Sequence, residues 1–170
     1  MASVPSRKKV KIMIKRINEK DIENCVYVIR NSFQTVADEF NITKENAPRY
    51  VCYSVDSNKI KSQFKNSKDM FAYFIDDKPV GYYSLSFNDN ECEINNLCVL
   101  PEYRHKNIGK QLLNHAIEFA KEKGNKWVNV SIVEENTKLK EWYQSMGFVH
   151  LYTEKFDFFP FTCGYMKLDL

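Results

Sequence analysis

The stretch that most constrains the fold is LCVLPEYRHKNIGKQLLNHAIEFAKEKG, which covers residues 97–124. It begins as the end of an apolar strand, and a proline followed by polar and basic residues ends that strand. From Ile108 onward, apolar residues recur every three and four positions, which predicts an amphipathic helix that Gly124 ends as a C-terminal cap. Because another strand is predicted over 127–133, the segment 91–133 has the strand–helix–strand pattern of a crossover in a mixed sheet.

The spacing of apolar residues also predicts the other strands and helices. A first strand begins near Lys9, and an amphipathic helix follows from Ile22 and continues weakly to Phe40. The segment 35–68 is polar and irregular, with one short helix around residues 60–64. The remaining predicted elements are strands over 70–75, 80–87 and 91–100, a helix over 137–145, and a closing hairpin over 149–156 and 161–168. This order predicts an α/β (α+β) fold in which helices cover both faces of a mixed sheet.

The composition is that of one folded domain. The chain has 170 residues, of which 44% are hydrophobic and 14% aromatic, so we interpret residues 1–8 as a loose tail and residues 9–170 as a single domain. A formal net charge of +3 is too small to indicate a nucleic-acid binder, and the basic stretch 7–16 lacks aromatic platforms. No apolar run approaches the roughly 20 residues that span a bilayer, and the N-terminus lacks the apolar region of a signal peptide. We therefore expect a cytoplasmic protein that binds neither nucleic acid nor membrane.

The cysteines and histidines do not indicate a metal site. Five cysteines form no CxxC or similar spacing, and the three histidines are far apart in the sequence. Reduced thiols are the expected state of such cysteines in the cytoplasm. We therefore expect no metal.

Basic and polar residues directly before the predicted helix favour an anion site. A helix N-terminus exposes unpaired backbone N–H groups and carries about half a positive charge, so a phosphate binds there readily. Consecutive N–H groups converge if position 107 has a left-handed backbone, and asparagine is one of the few residues besides glycine that adopt it. The alternative is an ordinary helix start with solvated basic side chains.

Two motifs make the segment 70–156 resemble the GNAT superfamily of N-acetyltransferases. Residues 104–109, RHKNIG, match the acetyl-CoA signature R/Q-x-x-G-x-G/A, with Asn107 in place of the first glycine. Asn136, Tyr143 and the MGF triplet after them match a second motif. The resemblance implies a mixed, mostly antiparallel sheet of six to seven strands, flanked by helices on both faces and splayed between its fourth and fifth strands.

The resemblance also implies acetyl-CoA as co-substrate, bound in the cleft between the diverging strands. The main chain of Leu97 and Val99 would bond the pantetheine amides, and Asn136 would bond the pantetheine from the other side. The pyrophosphate would rest on the N–H groups of residues 104–110. The residues expected to contact acetyl-CoA are Leu97, Cys98, Val99, Arg104, His105, Lys106, Asn107, Ile108, Gly109, Lys110, Asn136 and Tyr143.

In this family the amine attacks the thioester directly, which requires a base, a partner for the oxyanion and an acid. Glu93 matches the general-base position of some members, and strand alternation predicts that Glu93, Asn95 and Leu97 share a face. Alternatively, Glu93 is a solvated glutamate on the exposed face of the strand, and a chain of water molecules serves as the base. Tyr143 matches the tyrosine that protonates the leaving thiolate, and the alternative for this residue is packing in the core. The Leu97 N–H would bind the oxyanion. An acetyl-cysteine intermediate on Cys98 is disfavoured because no histidine partner is identifiable.

The acceptor site is expected between the irregular segment and the closing hairpin. The candidate residues are Phe33, Asp38, Glu39, Phe40 and Glu45 in the first, and Phe156, Phe158, Phe159 and Tyr165 in the second, with Phe33, Glu39 and Phe159 the primary candidates. Carboxylates beside aromatic rings suit a small cationic amine, and a peptide N-terminus is the second acceptor class. A packed hairpin or a dimer surface is the alternative interpretation of FDFFPF, so both a monomer and a homodimer remain open. A non-catalytic acyl-CoA sensor is the alternative to an enzyme.

Overall fold

The structure of the protein is a computed structural model and describes residues 8–170. The predicted N-terminal tail therefore lies outside the described residues, apart from the exposed Lys8. The strands are β1 (Ile12–Arg16), β2 (Asp69–Ile75), β3 (Lys78–Asn88), β4 (Glu91–Val99), β5 (Trp127–Val133), β6 (Val149–Lys155) and β7 (Thr162–Asp169). The helices are α1 (Ile22–Glu39), α2 (Val51–Ser54), α3 (Ser57–Lys65), α4 (Ile108–Glu122) and α5 (Thr137–Ser145). Over residues 8–170, none of these helices has the length and hydrophobicity to cross a membrane.

The seven strands form one sheet in the order β1-β2-β3-β4-β5-β7-β6. Neighbouring strands are antiparallel except for β4 and β5, which are parallel because the α4 crossover joins them. The mixed, mostly antiparallel sheet that the sequence predicts is therefore confirmed.

The parallel pair is short. β4 and β5 are in register only at Glu91–Trp127, Cys92–Val128 and Glu93–Asn129. Beyond Glu93 and Asn129 the two strands separate, and β5 continues in register with β7 alone. The predicted splay between the fourth and fifth strands is confirmed.

A bulge in β4 changes which side chains share a face of the sheet. Asn95 lies opposite Ser84, whereas Cys98 lies opposite Tyr82, so one extra residue is inserted between them. Asn96, inside the bulge, has a φ of 53°. Because Ser84 and Tyr82 are two residues apart and share a face, Asn95 shares its face with Cys98. The predicted common face is therefore confirmed for Glu93 and Asn95, which lie opposite Ser86 and Ser84, and is wrong for Leu97, which lies beyond the bulge.

Helices cover both faces of the sheet, as predicted. We call the face that carries Tyr82, Glu93 and Asn95 the front face and the opposite face the back face. α4 covers the back face, where the Tyr83 hydroxyl lies 2.6 Å from His115 Nδ1. α1 packs against β3 and β4 from the front face, and its Cys25 thiol lies near that of Cys98.

The irregular segment between α1 and β2 packs over the end of the sheet. It contains α2, which the sequence did not predict, and α3, which begins after Asp56 because that carboxylate accepts a hydrogen bond from the Lys59 N–H at 2.8 Å. A small separate core joins this segment to the ends of β5 and β7. Its buried members are Ala37, Ile42, Ala47, Tyr50, Cys52, Val133 and Phe161. This core fixes the segment at the place where β4 and β5 separate.

Candidate active site

The turn before α4 has a backbone that directs consecutive N–H groups to one side. His105 has a φ of 60° and Asn107 a φ of 67°, so both lie in the left-handed region on either side of Lys106. The left-handed conformation predicted at position 107 is confirmed, and the one at His105 was not predicted. Such an alternation of conformations forms a concave nest that binds anions.

The N–H groups of this turn are available to a ligand. The Arg104 N–H donates to Pro101 O at 3.2 Å, and the Gln111 N–H donates to Asn107 O at 3.2 Å. Between them, no carbonyl or side chain in the part of the chain that the structure describes accepts a hydrogen bond from the amides of residues 105–110. These donors stand at the N-terminus of a 15-residue helix, where the helix dipole adds positive potential.

The Arg104 side chain is tied into the protein. Its Nε donates to Val99 O at 3.0 Å, and its two terminal nitrogens donate to Thr35 Oγ1 at 3.0 Å and to Ser32 O at 2.9 Å. Partial burial lowers the pKa of Arg104 from its usual value. These bonds hold the turn against α1, so the guanidinium has a structural role here. The basic side chains exposed at this turn are those of His105, Lys106 and Lys110.

Gly109 permits close packing of α4 on α5. A Cβ at this position would lie 3.7 Å from Trp142 Cζ2 and 3.9 Å from Val99 Cγ2. A side chain longer than alanine would therefore press on Trp142, the residue before Tyr143.

A cavity of about 220 Å³, which we call the cleft cavity, fills the space between the separated strands. Its walls are the ends of β4 and β5, α5, and residues of α1, α2 and the β6–β7 connection. Leu97, Asn136 and Tyr143 line it, together with Phe33 and Phe159. The structure thus brings together candidate residues from four separate segments of the sequence.

The side-chain oxygen of Asn136 forms a hydrogen bond within the protein. Its Oδ1 accepts a hydrogen bond from the Leu139 N–H at 3.2 Å and so caps α5. The side-chain NH2 group is a donor that suits a ligand carbonyl in the cavity.

Tyr143 belongs both to the core and to the cavity wall. The side chain is 5% exposed and packs edge-on against Trp142 and Phe148, at ring separations of 4.9 and 5.2 Å. Burial, with a smaller contribution from Cys98, raises the pKa of Tyr143. The phenol therefore keeps its proton at neutral pH.

Cys98 is unsuited to nucleophilic catalysis. Burial raises the pKa of the Cys98 thiol to about 12, so the thiolate is negligible near neutrality. Its strand places it on the front face below α1, and it does not line the cleft cavity. These features agree with the sequence interpretation of Cys98 as a packing residue.

A second cavity of about 450 Å³, which we call the front cavity, adjoins the first on the front face. Both cavities are lined by Val130 and Ser131, so they meet where the strands part. The exposed Glu93 lines the front cavity. The other residues of its wall are Glu91, Trp127, Asn129, Leu151, Tyr152, Tyr165 and Lys167.

The proposed acceptor residues divide into two groups. Phe33 and Phe159 line the cleft cavity, and Tyr165 lines the front cavity. Glu39 is the last residue of α1, is exposed, and lines neither cavity. Asp38 accepts a hydrogen bond from Gln34 Nε2 at 2.9 Å on the outer side of the same helix.

Arg49 and Tyr50 line the cleft cavity and were not among the residues proposed from the sequence. Tyr50 and Phe161 meet edge-on at 5.6 Å, and burial raises the pKa of Tyr50. The cause of the omission is that the segment 41–50 has no helical or strand period. Only the packing of this segment on β5 and β7 reveals which of its side chains point inward.

Glu134 anchors the turn that carries Asn136. Its carboxylate binds the Lys140 ammonium and lies 3.0 Å from His150 Nε2, and its N–H donates to Thr162 O at 2.8 Å. Burial alone raises the pKa of Glu134, but the hydrogen bonds and charges of Lys140 and His150 outweigh it and hold the pKa below its usual value.

Comparison with known proteins agrees with this geometry. The model of the acetyltransferase (GNAT) family matches residues 33–148. The chain is 26% identical over 153 residues to a spermidine N(1)-acetyltransferase of Thermoplasma acidophilum, covering 86% of this chain and 94% of the relative. It is also 26% identical over 153 residues to an N-acetyltransferase of Lactobacillus delbrueckii subsp. lactis, covering 80% of this chain and 83% of the relative.

A solved structure has the same fold. The PaiA N-acetyltransferase of Thermoplasma acidophilum, in complex with coenzyme A, matches with a TM-score of 0.75 at 24% identity, covering 94% of this chain and 99% of the other.

Because the family model matches more than half of the chain, the protein belongs to the acetyltransferase (GNAT) family. The resemblance inferred from the two sequence motifs is confirmed.

The Glu134 cluster generates a test of pH-dependent stability. A carboxyl whose pKa is lower in the folded than in the unfolded state stabilises the fold above the unfolded pKa, and this contribution is lost as the pH falls through the folded pKa. We expect Glu134→Gln to lower the free energy of unfolding by about 1 kcal/mol at pH 7. The difference from the unmodified protein should shrink below about pH 4, close to the ordinary glutamate pKa. Urea unfolding at several pH values measures it, and Glu118→Gln, at an exposed ion pair with Lys121, is the control expected to change little.

Proposed function

We propose that the protein transfers an acetyl group from acetyl-CoA to a primary amine of a small molecule, by direct attack in a ternary complex. The observation that carries the proposal is the row of unpaired amides at residues 105–110, beside two strands that separate after Glu93 and Asn129. Membership of the family and the spermidine-acetylating relative support the same reaction class. The coenzyme A bound by the structural neighbour supports the co-substrate.

The residues present fit coenzyme A. The amides of residues 105–110 would bind the diphosphate, since the nest and the helix dipole both favour an anion. The main chain of Leu97 to Val99 would bond the pantetheine amides as an added strand. The Asn136 side-chain NH2 would donate from the α5 side. When bound, acetyl-CoA supplies the thioester that the amine attacks.

Two side chains would move protons during the transfer. Glu93 would accept a proton from the incoming ammonium, directly or through water, because an amine with a pKa near 10 is mostly protonated at neutral pH. Tyr143 would donate its proton to the departing sulfur, since it lines the cleft cavity and a phenol is protonated at neutral pH. The Leu97 N–H would donate to the thioester oxygen as negative charge develops there.

The nest assignment is tested at Asn107. Asn107→Val strains the left-handed backbone by about 1–2 kcal/mol, so we expect the affinity for coenzyme A to fall about tenfold. Asn107→Gly relieves the strain and should retain or increase the affinity. Isothermal titration with coenzyme A measures both variants.

The matched control is Asn41→Val, because Asn41 also has a left-handed backbone, with a φ of 53°, but lies after α1. It should lose similar thermal stability and keep the affinity for coenzyme A. Equal affinity in Asn107→Val and the unmodified protein would refute binding of the diphosphate at this turn.

The role of Tyr143 is tested by Tyr143→Phe, which removes the proton and keeps the packing. We expect kcat to fall about 100-fold, in the range typical of a lost general acid, with coenzyme A affinity unchanged. Release of CoA, followed with a thiol reagent against a panel of amines and a peptide, measures kcat. Unchanged turnover would rule out the acid role, and coenzyme A binding without turnover of any amine would favour a sensor.

The role of Glu93 is tested by Glu93→Gln, with Glu91→Gln as a control on the same strand and in the same cavity. We expect turnover by Glu93→Gln to fall at least tenfold at neutral pH. Turnover should recover as the pH approaches the pKa of the acceptor amine, since a neutral amine needs no base. The pH dependence of kcat/KM measures the effect, and a profile identical to that of the unmodified protein would leave water as the base.

A further inference from the structure

Among residues 8–170, one arginine and no carboxylate side chain lines the cleft cavity. Within residues 8–170, the only charged side chain that lines it is Arg49. The remaining lining is aromatic, aliphatic or neutral and polar. This is the reverse of the acidic acceptor pocket expected from the sequence, because the carboxylates of Asp38 and Glu39 lie outside the lining.

The exposed Arg49 side chain lies over the ring of Phe158, which is part of an aromatic series. Its guanidinium carbon lies 4.7 Å from the centroid of the Phe158 ring. Phe158 packs edge-on against Phe159 at 4.8 Å, and Phe159 stacks on Phe161 at 4.6 Å. Tyr50, the residue after Arg49, closes the series by its contact with Phe161. The cation is therefore positioned by packing on its face and not by a salt bridge.

The N–H edge of the Arg49 guanidinium is available. Among residues 8–170, no carboxylate forms a salt bridge with Arg49 and no side-chain hydrogen bond involves it. Arg104 differs, since its nitrogens are all directed to protein acceptors. A guanidinium stacked on a ring keeps its donors in the plane and binds a carboxylate with two parallel hydrogen bonds.

We propose that Arg49 binds a carboxylate of the acceptor, which makes the acceptor an amine that also carries a carboxylate, of the amino-acid type. The inference rests on the proposed acetyl transfer and specifies its substrate class. The carboxylate pairs with Arg49 at the outer wall, the apolar body packs against Phe33 and Tyr50, and the amine points towards the thioester. Glu91 and Glu93 lie in the adjoining front cavity together with Lys167, whose ammonium pairs with Asp169 at 3.0 Å. Glu93 would face the amine end.

The test compares matched acceptors that differ only in the carboxylate. L-phenylalanine and 2-phenylethylamine form one pair, and 6-aminohexanoate and hexylamine form another. We expect the unmodified protein to prefer the carboxylated member of at least one pair, and Arg49→Gln to reduce kcat/KM for that member about 10- to 100-fold. Arg49→Lys should recover only part of the loss because lysine cannot form the paired hydrogen bonds. Arg30→Gln, at an exposed arginine of α1 outside both cavities, is the control expected to be unchanged.

Two readouts separate this inference from the proposed function. Arg49→Gln should reduce kcat/KM for the carboxylated member of a pair more than for its carboxylate-free partner, and KM for acetyl-CoA should not change. If spermidine and the simple amines are turned over as well as the carboxylated ones, the inference is refuted and the acetyl transfer stands. Calorimetric titration of both members of each pair into the coenzyme A complex gives a result that does not need turnover. The inference is supported if the carboxylated member binds to the unmodified protein and does not bind to Arg49→Gln. It is overturned if both members of each pair bind equally well to the unmodified protein.

Discussion

The site depends on one interruption of hydrogen bonding, the loss of pairing between β4 and β5 after Glu93 and Asn129. Two parallel strands that stayed paired would leave no cavity, and their main-chain groups would be satisfied within the sheet. Once they separate, the part of β4 beyond Glu93 no longer pairs with β5, and such a strand edge is a template for an extended ligand. At its end the Val99 carbonyl accepts a hydrogen bond from Arg104 Nε. The same separation opens the space that both cavities share.

The helix ends around this gap are positioned by contacts that involve no ligand. Arg104 ties the turn before α4 to α1, and Gly109 lets α4 approach Trp142 on α5. Glu134 fixes the turn from which Asn136 caps α5. The anion nest, the capping asparagine and the phenol of Tyr143 are therefore parts of one packed arrangement, which lowers the conformational cost of binding.

The charges around the gap are separated in a way that a dipolar molecule would match. Glu91 and Glu93 line the front cavity beside Lys167, whose ammonium is paired with Asp169 at 3.0 Å, and Arg49 lines the cleft cavity beside Phe158. An acceptor with an ammonium at one end and a carboxylate at the other has the complementary charge distribution. A polyamine, which is cationic along its whole length, would bring positive charge towards Arg49.

The sequence by itself determined the mixed sheet, the helices α1, α3, α4 and α5 and the left-handed Asn107, and its resemblance to a family implied the grouping of Leu97, Asn136 and Tyr143. These follow from periodicity, from the few residues that tolerate a positive φ, and from motifs that are contiguous in the chain. Only the tertiary structure decided the bulge at Asn96, the inward bonds of Arg104 and the place of Arg49 in the cavity. The reason is physical: a bulge is defined by the partner strand, and a side chain's partners depend on which distant segments pack beside it. In an irregular segment such as 41–50 no local period distinguishes an inward residue from an outward one.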